Sequence, residues 1–411
     1  MIQNKLLIFL LILISVSSLA QNNSSSSYSR FGIGILNSKA DATNAGMGFA
    51  GLALGSKGYL NTLNSASYSA LDSAKFVFNI QGKMSFADYQ TSTDQQSNFD
   101  ANVESLSIGF RAGKNWGMGF SLAPYSSIGY SISGEKYILG TMDKYPVELI
   151  GEGGISQLSW TNGFQVAKGL SLGLNTSYLW GSTDVIEVSE YPAIIGETIY
   201  NKRTYQVSSL LFDFGLQYRQ AIGRNSFSIG GTFSLSSELD TYFEHKIYND
   251  YSSDLSSSKT NSDNLLIPLQ YQAGMAFQTH SGITIAGDYR FGQWHESELS
   301  ITNGEVRDTH GASFGVQYAS PRYHRNFFKR LQYRLGVFYN QQYLTIQGNN
   351  IDSKGVTAGL TIPMRDGSRI NIAYEYDTRG TINAGLVEEN YNTIRLGLTF
   401  NENWFQKRKF D

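Results

Sequence analysis

The chain is 411 residues long, carries a formal net charge of −2 and contains no cysteine. That balance offers nucleic acid no electrostatic attraction, and the missing thiols exclude disulfides, thiol nucleophiles and Cys-ligated metals. Charged residues make up 16%, against about 25% in an ordinary soluble chain, while 26 Tyr, 24 Phe and 42 Gly accompany only 6 Pro, a composition suited to long twisted strands.

The N-terminus reads "MIQNKLLIFLLILISVSSLAQ". Lys5 supplies a positive start, residues 6–16 an apolar run, and Ser18 and Ala20 the small residues of a cleavage site before Gln21. This is the pattern of a secretory signal peptide over residues 1–20. No later stretch approaches the roughly 18 apolar residues of a membrane helix, so any further span must be built of strands.

Residues 21–74 do not alternate. After a Ser-rich leader, "NAGMGFAGLA" and "NTLNSASYSAL" are crowded with Gly, Ala and Ser. A flexible linker would be more polar. The segment is expected to be compact and closely packed, a plug ahead of the first strand.

From 75 to 400 an alternation with period two recurs in fourteen runs, beginning at 75–87 and ending at 386–400. In the seventh, "SFSIGGTFSLS", Phe227, Ile229, Phe233 and Leu235 share one face and Ser or Thr the other. Apolar faces ending in Tyr, Trp or Phe are the mark of lipid-facing strands with aromatic girdles. The opposite faces carry Ser, Thr, Gly, Asn and Gln with sparse charges, Asp213, Arg219, Asp288, Arg290, Arg334, Glu375 and Arg395. A soluble surface would hold Lys and Glu densely, so these faces read as a lumen. The connections alternate between short turns such as "AIGRN" and longer polar loops such as those in 134–153 and 245–264. Short turns on the periplasmic side and long loops outside complete the pattern of an all-β, transmembrane antiparallel barrel of about fourteen strands in the bacterial outer membrane. Residues 401–411 form a periplasmic tail.

The layout resembles the FadL-type family of outer-membrane transporters for hydrophobic compounds. A signal peptide, the small-residue segment holding Asn44, Gly46 and Gly48, then Asn64-Ser65-Ala66, then about fourteen strands carry the resemblance. It implies an N-terminal hatch inside the barrel built on those six residues. The family's usual Asn-Pro-Ala is here Asn-Ser-Ala. The third run, "WGMGFSLAPYSSIGYSIS", contains Pro124, which cannot donate a ladder hydrogen bond and implies a bulge or kink. The resemblance places the family's inward kink, which opens the wall sideways, at Pro124, Ser126, Ser127 and Gly129; an ordinary bulge is the other reading. "SRFGIG" at 29–34 and the ending "NWFQKRKFD" look like the Bacteroidota branch.

No catalytic constellation is present. The five histidines lack metal-ligand spacing, no GxSxG occurs, and no Gly-Lys-Ser/Thr follows the glycine-rich segment. The reading excludes an enzyme and calls for no cofactor. Its partners are outer-membrane lipid, a small hydrophobic ligand and, in the rival reading, proteins. The leading function is passive uptake of a small hydrophobic or amphipathic compound. The rival is an interaction subunit, since the FadL-related subunit of the type IX secretion apparatus uses the same barrel to hold partner proteins.

Overall fold

A computed structural model describes residues 26–403 apart from 56, 74, 192–196, 252–254, 262–264, 298, 300–303, 322–324 and 365–366. The signal sequence and the C-terminal "KRK" therefore lie outside the described residues.

Alternation converts directly into a closed sheet. Fourteen antiparallel spans follow one another around a barrel, several of them in two or three pieces. The first is Lys75–Gln90 and the last Glu388–Asn403, and these two pair from Glu388↔Gln90 to Asn403↔Lys75. Closure leaves no sheet edge there, as a bilayer requires. No helix among the described residues is long and apolar enough to cross a membrane.

The faces fall as the alternation predicts. In the sixth span, Glu197–Ile222, Leu210, Phe212, Phe214, Leu216 and Tyr218 point outward and are exposed, while Leu211, Asp213 and Gln217 are buried. In the seventh, Ile229 is 46% exposed and Ser228 4%. Exposed apolar side chains in this number would be a liability in water; facing hydrocarbon they are the solvated surface. Phe164, Tyr218 and Tyr333 ring one end of the apolar band, and Tyr178, Trp180 and Tyr339 the other.

Two features differ from the reading by alternation. The seventh span is broken into Asn225–Ser234 and Ser237–Asn249, and across the break the phase inverts, so that Leu239 is fully buried and Asp240 exposed. An irregularity at Leu235-Ser236 shifts a strand by one residue and exchanges its faces. The long polar loops are also shorter than expected. Gly134 to Tyr137 pair with Lys144 to Val147, and Ser256–Asn261 pairs with Tyr242 to Ile247, so the strands continue beyond the apolar band as hairpins.

Residues 26–73 run through the barrel interior from the end bearing the longer connections to the end where the first span begins. They are bonded in turn to the third, sixth, ninth, twelfth and fourteenth spans. Contact with walls on all sides places the segment in the lumen.

Candidate functional site

The interior segment is shaped by caps and close approaches. Asp41 caps the single turn Ala42–Ala45 by accepting the Asn44 N–H at 2.9 Å, and Tyr59 Oη donates to the same oxygen at 3.0 Å. Burial pushes the Asp41 carboxyl above the usual carboxylate range. The Asn44 carbonyl accepts from Met47 and Phe49, both at 2.9 Å. Gly46 and Gly48 then press against the wall. A Cβ on Gly46 would lie 2.8 Å from the Gly359 Cα, and one on Gly336 would lie 2.0 Å from the Gly48 nitrogen. Gly48 also has φ +64°, and its N–H donates to Thr357 Oγ1 at 2.8 Å.

Asn64 caps the 3-10 turn Ser65–Ala70 through the Ala66 N–H at 3.0 Å, and its Nδ2 donates to the Leu216 carbonyl at 3.0 Å. Ser65 and Ala66 sit on Gly173 and Gly215, where no side chain would fit. Ser65 holds the first position of the turn, the place where a proline loses nothing by lacking an N–H. Serine in place of the family's proline therefore keeps the turn.

The seven charged residues assigned to the lumen divide by task. Asp213 accepts from Lys39 Nζ at 2.6 Å and from Asn175 Nδ2 at 2.9 Å. Asp288 accepts the N–H groups of Gly51 and Leu52 at 2.6 and 3.0 Å, and Arg219 donates to the Gly55 carbonyl at 2.7 Å. These three anchor the interior segment. Arg334 is buried against Gln317 and Thr361, and Arg290 donates to Ser313. Arg395 pairs with Glu375 at 3.1 Å and with Glu104, its guanidinium 5.3 Å from the Phe49 ring centre.

Above the segment lies a cavity of about 330 Å³. It is lined by charged side chains, among them Lys83, Asp100, Glu104, Asp377, Arg379 and Arg395, and by apolar ones, among them Leu36, Phe49, Leu63, Leu211, Trp294 and Phe338. Lys83, Asp100, Glu104 and Arg379 were missed by the reading of the sequence, although the parity that turns Glu375 inward turns 379 inward too. No group of His, Asp or Glu able to hold a metal occurs among the described residues.

The wall beside this cavity is interrupted. The second span, Gln95–Gly113, and the third, Trp116–Tyr137, pair only from Gly113↔Trp116 to Leu106↔Leu122. Beyond Leu122 the third span shifts register at Pro124/Ser126 against the fourth. Its Ser126 and Ser127 instead pair inward with Leu36 and Ile35 of the interior segment, and Gly129 exchanges hydrogen bonds with Ser26 and Ser29. Ser126, Ser127 and Gly129 thus bond to the interior segment, and Pro124 stands at the register shift before them. The facing half of the second span keeps its pairing with the first span alone.

A closed barrel of fourteen spans, threaded by its own N-terminal segment and unpaired beside the third strand, defines an outer-membrane β-barrel of FadL type. The chain belongs to the BamG family, whose model matches residues 1–411. Among solved structures, a FadL homologue from Pseudomonas aeruginosa is similar at TM-score 0.61 and 12% identity, over 90% of this chain and 99% of its own. The Pseudomonas putida toluene transporter TodX is similar at TM-score 0.58 and 15% identity, over 90% of this chain and 100% of its own. The Ralstonia pickettii toluene transporter TbuX follows at TM-score 0.57 and 13% identity, over 90% and 99%. None of the curated proteins matches by sequence.

Proposed function

We propose that the barrel takes up a small amphipathic compound through the cavity and releases it sideways between the second and third spans, with the interior segment acting as a hatch that keeps the lumen closed to ions. The observation that carries this reading is the interrupted pairing beyond Leu106↔Leu122 next to a cavity that reaches it. Asp100 and Glu104 of the second span and Tyr125 of the third all line that cavity. Unpaired strand edges in a bilayer are costly, so a wall left open has a use that outweighs closure. The similar structures are described as toluene transporters, which supports an apolar substrate. The charges at Lys83 and Asp100 favour a polar head, since a pure hydrocarbon would desolvate them with nothing in return.

Because the chain has no cysteine, a single introduced thiol gives one attachment point. A bulky maleimide on Val103→Cys, at the open edge, should suppress uptake of a fluorescent alkyl amphipath by cells about tenfold or more. The same label on Val356→Cys, outward-facing on the twelfth span, Asn349–Pro363, should leave uptake unchanged. Equal uptake with both labels would refute the sideways route.

A further inference from the structure

Outside the barrel, at the end of the apolar band nearer the long connections, the wall is dented. A cleft of about 860 Å³ opens outward across the third to seventh spans. Its floor is a row of mutually paired, outward-facing residues: Pro124, Ser156, Trp180, Ser208 and Asp240. The next row adds Gly154, Ser182, Gln206 and Tyr242.

Three irregularities in the spans that line the cleft accompany the dent. They are the shift at Pro124/Ser126, the pair Gly153 and Gly154 with φ +112° and +145°, and the break at Leu235-Ser236. A Cβ on Gly153 would lie 2.1 Å from the Ser182 carbonyl oxygen, so these glycines are required by the fold of the wall. Behind the dent Ile155, Leu179, Leu211 and Leu239 pack against Ile35 in one buried cluster. The cleft is therefore closed toward the lumen and separate from the cavity above the hatch.

Its height follows from the neighbours along the same strands. Toward the periplasm the outward residues are Leu122, Leu158 and Leu210, all exposed. Toward the outside they are Glu152 and the pair Asp184–Lys202, at 2.7 Å. The cleft lies where apolar gives way to charged, at the level of lipid headgroups in the outer leaflet. Acyl chains filling it would strip Ser156, Ser182, Gln206, Ser208 and Asp240 of water with nothing in return. Phosphate is disfavoured too, since Asp240 lines the cleft and has no ion-pair partner among the described residues.

What remains is a neutral polyhydroxyl group. Hydroxyls, an amide and a carboxylate supply donors and acceptors of both kinds, and the partly exposed Trp180 and Tyr178 beside them supply aromatic surface for the C–H face of a pyranose. We propose that this cleft binds the saccharide headgroup of an outer-leaflet glycolipid, holding one glycolipid against the outside of the barrel beside the third strand.

The test is retention of lipid by full-length protein. The protein is reconstituted in nanodiscs of phosphatidylethanolamine with added lipopolysaccharide, released into detergent, and weighed intact by native mass spectrometry. Wild type should keep one glycolipid, and the deacylated core oligosaccharide should compete it off. Ser208→Leu combined with Asp240→Leu should lower retention about tenfold, equivalent to the loss of a few hydrogen bonds. Val356→Leu, on a distant outward face, should retain as wild type does. Heat-modifiable gel migration of each variant checks that the barrel has folded. Equal retention by wild type and double variant, equal retention of phospholipid, or a polypeptide found in the cleft in place of lipid would overturn the proposal. If oligosaccharide alone binds as tightly as glycolipid, the membrane source is wrong and the site takes free glycan.

Discussion

At the scale of single residues, the decisive contrast is between neighbours one position apart. Ile229 faces hydrocarbon, where an arginine costs about 2–4 kcal/mol at mid-depth. Ile229→Arg should therefore impair assembly, read as loss of the folded band on an unboiled gel. Ser228 looks like the natural control, but it is buried against Arg219, so a large cation there would fail for reasons of space. Ser85, which lines the cavity opposite Asp100, is the better partner: Ser85→Arg should assemble normally. Asp41 makes the other prediction. Its carboxyl is held above the ordinary range by burial, so the fold prefers the protonated form. The stability that form contributes is present below the unfolded value of about 4 and is lost as pH rises through the folded value. Asp41→Asn keeps the acceptor for the Asn44 N–H and removes the charge. Exchange protection of that amide should be at least as high as wild type at neutral pH and should no longer fall between acid and neutral pH. Asp41→Ala, which loses the cap, should weaken the turn by about 1 kcal/mol.

At the scale of elements, the third span carries the register shift and the inward pairing on which the proposed sideways route rests. Pro124 was legible in the sequence because a proline inside an alternating run conflicts with ladder bonding. What could not be read was that the strand beyond it leaves its neighbour and pairs with Ile35 and Leu36, since that partner lies about ninety residues away and carries no periodic signal of its own. Pro124→Ala restores a donor and should favour a straighter strand. Uptake of an amphipathic fluorophore should then fall several-fold with folding unchanged; full uptake would reduce Pro124 to a structural bulge. The fourteen spans were legible for a plain reason. Each exposes one face to lipid and one to the interior, so every residue reports its side. The seventh span shows the limit, because a one-residue slip at Leu235-Ser236 moves Leu239 into the core and Asp240 out of it. The charged lumen residues were identified by parity, but their separate tasks were not. Asp213 and Asp288 serve Lys39 and the Gly51–Leu52 backbone, and those contacts depend on a fold of residues 26–73 that has no period to read.

At the scale of the whole molecule, the barrel, the interior segment and the open edge form one arrangement. Inward glycines on several spans let the segment lie flat against the wall, leaving the cavity above it and the unpaired stretch beside it. Charged and apolar side chains together in that cavity suit a solute with a head and a tail. The central claim is that such a solute occupies the cavity and leaves between the second and third spans. The direct measurement uses a short alkyl amphipath bearing a diazirine, photolysed on the reconstituted protein, with adducts located by peptide mass spectrometry. Adducts should concentrate on Phe49, on residues 98–104 and at Tyr125, and they should be displaced by unlabelled amphipath. Adducts confined to the outward girdle, at positions such as Tyr218 and Tyr333, with none in the cavity, would contradict the account.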